Sequence, residues 1–217
     1  MKYLFLAILA VSFSIHLYHS YKDELKKRPY TKWILLLAIL GYYLFSVEKP
    51  SPLLVAALIT SWLGDVLLMG ESNGWFTAGG ISFMLSHFLF IGVYCRSISF
   101  DALNPALLIP AVLVYYGVSA VIIALLKPDT PKPMVIPMYV YLLANSTMNI
   151  FSLLQLYENR TAGALIAYIG AVLFFISDCS LFLVRYYKGG KKFKSFFVCM
   201  LTYITGEFLI TRGVMML

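Results

Sequence analysis

Four ionisable side chains stand inside long apolar runs: Asp65, His87, Asp178 and Glu207. Asp65 sits in "SWLGDVLLMG" and Asp178 in "FFISDCSLFL". Two carboxylates and an imidazole are the parts of an acid/base catalyst, in which one group gives a proton while another takes one or faces a developing cation. Each charge costs at least about 2.5 kcal/mol if turned toward lipid, so all four are expected to face a bundle interior. Ser61, Tyr141, Asn145, Asn149, Ser177 and Tyr203 lie in the same runs. Glu207 has hydrogen-bond candidates in Tyr203 and Asn145. His16 and His19, at the end of the first run, suit an interfacial role better than catalysis. Cys95, Cys179 and Cys199 are far apart and form no CxxC pair, which fits free thiols in apolar surroundings. Zinc sites favour several His or Cys, and the chain has one central His, so no metal and no cofactor is expected.

Elements of the bilayer must position these groups. The chain is 61% hydrophobic and 12% charged, with a mean hydropathy of +0.83, whereas soluble domains are about 45–50% apolar and about 25% charged. Eight apolar segments are read, at about 3–20, 33–48, 52–69, 75–95, 104–126, 134–157, 161–185 and 194–215. The expected fold is all-α: one integral-membrane domain over 1–217, a polytopic bundle of about eight transmembrane helices. The second segment is the weakest, bracketed by Lys32 and Glu48. The first lacks a clear cleavage site and is read as a helix. Pro52, Pro105 and Pro137 are expected in first turns, and Pro110 further in, where it would kink its helix.

Lys and Arg divide unevenly between the two ends of such a bundle. Twelve fall on one side, in the stretches Lys22–Lys32, Lys127–Lys132 and Arg185–Lys194, and five on the other. The positive-inside rule then puts both termini outside. The net charge of +7 is thereby a topology signal with some affinity for anionic lipid heads, and nucleic acid is excluded as a partner. A bacterial inner membrane is the expected location.

At about 1.5 Å per residue, Asp65 and Asp178 lie about 8–10 Å from the basic end, Tyr141 and Tyr203 about 10–13 Å, and His87, Asn145 and Glu207 about 16–20 Å. This agreement in depth, across five helices, implies a shared pocket opening toward the basic side. Gly64 allows close helix approach beside Asp65. "GDVLL" and "SDCSL" share a small-Asp-x-x-Leu pattern on two parallel helices, which would let both carboxylates meet across one pocket.

The motifs "SWLGDVLLM", "FTAGGISFMLSHFLFI" and "GAVLFFISDCSLFL", with "YVYLLANSTM" and "LTYITGEFLI" beside them, resemble the YhhN-like lysoplasmalogenase family over nearly the whole chain. Glu207 stands where that family's closing segment has glutamine. The resemblance implies hydrolysis of the vinyl-ether bond of a lysoplasmalogen, giving a fatty aldehyde and glycerophospho-ethanolamine or -choline. Asp65 and Asp178 would then be acid and cation-stabilising base, in either order, sharing one proton, and His87 would position water or relay the proton. Tyr141, Asn145 and Tyr203, with Ser61 and Glu207, would line the substrate pocket, and Arg185 and Lys188 would meet the phosphate. Two alternatives remain open: a metal-dependent lipid hydrolase with Asp65, His87 and Asp178 as ligands, and a proton-coupled lipid or small-solute transporter. The intact helices weigh against the latter.

Overall fold

The computed structural model describes residues 1–24, 26–100, 103–188 and 196–217. Among these residues the chain forms helices and no strands. The helices are α1 (Lys2–Tyr21), α2 (Pro29–Leu44), α3 (Pro52–Leu67), α4 (Asn73–Cys95), α5 (Pro105–Leu126), α6 (Lys132–Asn159), α7 (Ala162–Tyr186) and α8 (Phe196–Val214). Local chemistry sets their ends. Proline opens α2, α3 and α5, where the first N–H groups need no partner. The hydroxyls of Ser72 and Thr161 cap α4 and α7, accepting from the N–H groups of Trp75 and Ala164.

Among the described residues six helices are long and apolar enough to cross a membrane, which makes this an integral membrane protein. The other two, α2 and α3, have 16 residues each, or about 24 Å, against a hydrocarbon thickness of about 30 Å. The apolar run of the third segment continues to Met69, but the helix stops at Leu67 in a turn ending at Gly70. The expected eight spans therefore reduce to six full-length ones and two short helices. Pro137 is interior to α6, because that helix begins at Lys132 rather than near residue 134. The start of the last segment, with Lys191, Lys192 and Lys194, lies outside the described residues.

Consecutive helices pack as neighbours along most of the chain, and α4 also packs on α6 and α1 on α8. The closest pair is α7 and α8. A Cβ on Gly170 would lie 2.6 Å from the Ile210 nitrogen, and one on Gly213 would lie 2.4 Å from the Ala167 nitrogen. Those neighbours are backbone, so only hydrogen fits, and the two helices touch main chain to main chain. This contact fixes Asp178 of α7 relative to Tyr203 of α8. His16 is fully buried, with Nδ1 2.8 Å from Thr31 Oγ1, so it ties α1 to α2 rather than meeting the interface.

Candidate active site

Asp65 continues the buried stripe of α3, which runs Leu54, Ala57, Leu58, Ser61, Gly64, Asp65 at the three- and four-residue steps of one helix face. Next to it, Gly64 receives the ring of Phe83; a Cβ there would be 2.6 Å from that ring. Asp178 takes the same place on α7, after Ala171, Phe174 and Phe175. Amphipathic placement thus turns both carboxylates inward, and both are almost fully buried.

Each carboxylate has its own partners. Three groups converge on Asp178 Oδ2: the Tyr141 hydroxyl donates at 2.8 Å, Asn145 Nδ2 donates at 2.6 Å, and His87 Nε2 lies 3.2 Å away. Asp65 Oδ2 accepts from the Tyr203 hydroxyl at 2.9 Å, while Oδ1 lies 3.2 Å from Lys32 Nζ. Behind them stands an aromatic wall. The Phe174 ring meets His87 at 5.0 Å and Tyr203 at 5.3 Å, and Phe83 meets Tyr203 at 5.7 Å. These rings hold the imidazole and the phenol against the acids.

Asp65 and Asp178 line one cavity of about 560 Å³, together with Tyr203, Ser177 and Cys199. Its mouth lies at the end of the bundle carrying the α1–α2 and α3–α4 connections, where Lys26, Arg28, Lys32, Glu71 and Arg185 border it. The two guanidiniums lie on aromatic faces: Arg28 is 4.1 Å from the Phe196 centroid and Arg185 3.9 Å from that of Phe76. A second cavity, about 240 Å³, abuts the first and shares Leu68, Phe76, Phe83 and Leu181 with it. It is almost wholly apolar and lies between α4, α6 and α7. Ile81, Ile136 and Val140 on its rim are exposed on the outer surface of the bundle.

The structure thus brings Asp65, Asp178, Tyr203 and Arg185 to the main cavity. His87, Tyr141 and Asn145 stand behind Asp178, and Tyr141 also borders the apolar cavity. Ser61 and Glu207 lie outside both. Ser61 pairs with Ser86 at 2.7 Å, and neither Glu207 oxygen makes a hydrogen bond of good geometry. Lys188 is also away from the cavity; its backbone N–H donates to Asp129 Oδ2 at 3.1 Å. The two carboxylates share a cavity but not a ligand set, so each is compensated separately. Among the described residues no three His, Cys, Asp or Glu side chains gather as a metal-binding group. Sequence reasoning missed Lys32 and Arg28 as site residues. The signal was Pro29, a helix-opening proline that places Lys32 within the first turn of α2 rather than before it.

The sequence model of the YhhN family matches residues 27–214. The chain belongs to the YhhN family. No curated protein and no solved structure matches it at a significant level. In this YhhN protein the matched region contains both carboxylates, all three Asp178 partners, and the Lys32 and Arg28 cations at the cavity mouth.

Proposed function

We propose that this YhhN protein is a membrane-embedded hydrolase of the vinyl-ether bond in single-chain phospholipids of the lysoplasmalogen type. One observation carries the reading: an apolar cavity whose rim is exposed on the outside of the bundle abuts a charged cavity, and the two acids stand beside the junction. A lipid with one tail and one polar head has that shape. The tail would lie between α4 and α6 against Phe76, Met84, Met138 and Phe182. The head-group phosphate would meet the Lys32 ammonium and the guanidiniums of Arg28 and Arg185, which are already braced on rings. The ether bond would then fall near Phe83 and Leu181.

The chemistry follows from the partner sets. Vinyl-ether hydrolysis begins with proton transfer to the β-carbon, giving an oxocarbenium ion. Water adds to the α-carbon, and the hemiacetal collapses to aldehyde and the glycerol hydroxyl. Asp178, with three groups gathered on Oδ2, is the carboxylate that faces the cation and takes a proton from the attacking water. Asp65 is the acid. A bound phosphate draws Lys32 away from Asp65 and leaves that side chain as the proton carrier. Tyr203 holds its second oxygen. The basic end, by the positive-inside rule, faces the cytoplasm.

The test is a product assay by mass spectrometry, with lysoplasmalogens beside ester lysophospholipids and purified protein in detergent. The reading expects aldehyde from the vinyl-ether lipid. Fatty acid from the ester lipid alone would overturn it.

A further inference from the structure

One face of α6 is polar from Tyr141 to the helix end at Asn159. Tyr141, Asn145, Asn149, Ser152, Gln155 and Asn159 follow at steps of three or four residues, so they stack along one side of the helix. From first to last the rise is about 27 Å, close to the hydrocarbon thickness of about 30 Å. At the basic end the row starts on the catalytic carboxylate: Asn145 Nδ2 donates to Asp178 Oδ2 at 2.6 Å, and Asn149 Nδ2 donates to Asn145 Oδ1 at 3.0 Å. At the far end Gln155 Nε2 donates to Ser97 Oγ at 3.0 Å, and Asn159 Nδ2 to the Ser97 carbonyl at 3.2 Å. Asn159 itself is partly exposed.

Between these ends, several buried oxygens make no hydrogen bond of good geometry among the described residues. They are Asn149 Oδ1, Ser152 Oγ and Gln155 Oε1 on α6, Tyr94 Oη on α4, and both Glu207 oxygens and Thr211 Oγ1 on α8. All six residues are 0–1% exposed. The Tyr94 hydroxyl meets Ser152 and the Glu207 carboxyl meets Ser61 as loose pairs, and Tyr94 is within electrostatic reach of Glu207, so the three helices contribute to a common region. Thr211 is one turn beyond Glu207 on α8. Each buried oxygen without a partner costs about 1–3 kcal/mol, and native interiors satisfy such groups with protein or ordered water. A continuous polar row that touches the reacting carboxylate at one end and the surface at the other is what a water path requires.

We propose that a file of buried water runs along this face of α6 and supplies the water consumed at Asp178 from the end of the bundle opposite the cavity mouth. The supply role rests on the proposed hydrolysis, in which a bound head group closes the front route to solvent. One water enters per turnover and is incorporated whole: its oxygen enters the aldehyde, and its protons replace the one given to the β-carbon and complete the released glycerol hydroxyl.

The test is radiolytic hydroxyl-radical labelling of the intact protein in nanodiscs, which marks side chains beside bound water, read by mass spectrometry. Tyr94 should be labelled at least several-fold above Tyr43, a buried tyrosine of the same intrinsic reactivity that lies outside the row and whose hydroxyl is taken by the Ser51 N–H. Asn149→Leu should cut Tyr94 labelling several-fold. It should also lower kcat at least 10-fold with KM unchanged. Labelling of Tyr94 no higher than that of Tyr43 in the unsubstituted protein would overturn the proposal, whether or not the variant folds. Unchanged kcat in a folded Asn149→Leu that has lost the labelling would overturn the supply role. Labelling does not depend on turnover, so strong Tyr94 labelling in a protein that releases no aldehyde would count against the hydrolase reading and leave the water file standing.

Discussion

Replacing Lys32 by Met leaves Asp65 buried with no cation against it. Nζ and Oδ1 are 3.2 Å apart, and the two side chains are 12% and 2% exposed. At an effective dielectric of about 20, two unit charges at that distance attract by about 5 kcal/mol. Desolvation offsets part of this, and breaking one side of such a buried pair generally costs about 3–5 kcal/mol. Asp65 can escape part of the penalty by taking up a proton, which sets the expected loss at about 3 kcal/mol near neutral pH. Removing both charges, as Lys32→Met with Asp65→Asn, should restore most of the stability, because no uncompensated charge remains. The assay is reversible unfolding in mixed micelles by SDS titration, followed by tryptophan fluorescence, for the four members of the double-mutant cycle. A Lys32→Met variant within about 0.5 kcal/mol of wild type, a typical size for surface changes, would refute the pairing. A double variant less stable than the single would refute it as well.

Other expected outcomes probe the remaining parts. Tyr141→Phe removes one donor from Asp178 Oδ2, worth about 1.5–3 kcal/mol for a charged acceptor; kcat for aldehyde release should fall about 10- to 100-fold with KM unchanged, measured by steady-state kinetics. Gly213→Ala places a methyl group against the backbone of α7, so the α7–α8 contact should open at a cost of about 1–3 kcal/mol, read by SDS unfolding. Glu24, in the α1–α2 connection, is held below the usual carboxylate range by the His19 hydrogen bond and then by Lys27. Its contribution is therefore present above the ordinary carboxylate pKa and fades as pH falls through the lowered value; the stability difference between wild type and Glu24→Gln should vanish in acid. A reporter fused after Leu217 should be active on the non-cytoplasmic side, as an alkaline phosphatase fusion would show.

Much of the site was legible in the sequence because the bilayer makes buried charge rare. Asp65, His87, Asp178, Tyr141 and Tyr203 stood out as polar groups at matching depth, and the structure brings all five to the two joined cavities or directly behind Asp178. The same logic failed for Lys32 and Arg28. Basic residues at a helix end are normally topology signals, and only the packing of α2 against α3 turns Lys32 onto Asp65. Glu207 and Ser61 were legible as buried but not as members of another layer, since depth along a helix says nothing about which neighbour a side chain meets. Lys188 failed for a related reason: the chain leaves α7 at Tyr186, and the backbone of Lys188 is drawn to Asp129. The α7–α8 contact did leave a trace, in glycines seven residues apart at 163 and 170 and again at 206 and 213. That spacing puts small residues on one face of each helix, and it accounts for the rigid placement of Asp178 beside Tyr203.

The central claim is that Asp65 and Asp178 carry out proton transfer on a vinyl-ether lipid, and the most direct measurement is aldehyde release by wild type, Asp65→Asn and Asp178→Asn, each shown folded by SDS unfolding. The account predicts turnover by wild type and a loss of about 100- to 10,000-fold in each variant, the usual size of a general acid or base contribution. Near wild-type turnover in either folded variant would contradict it.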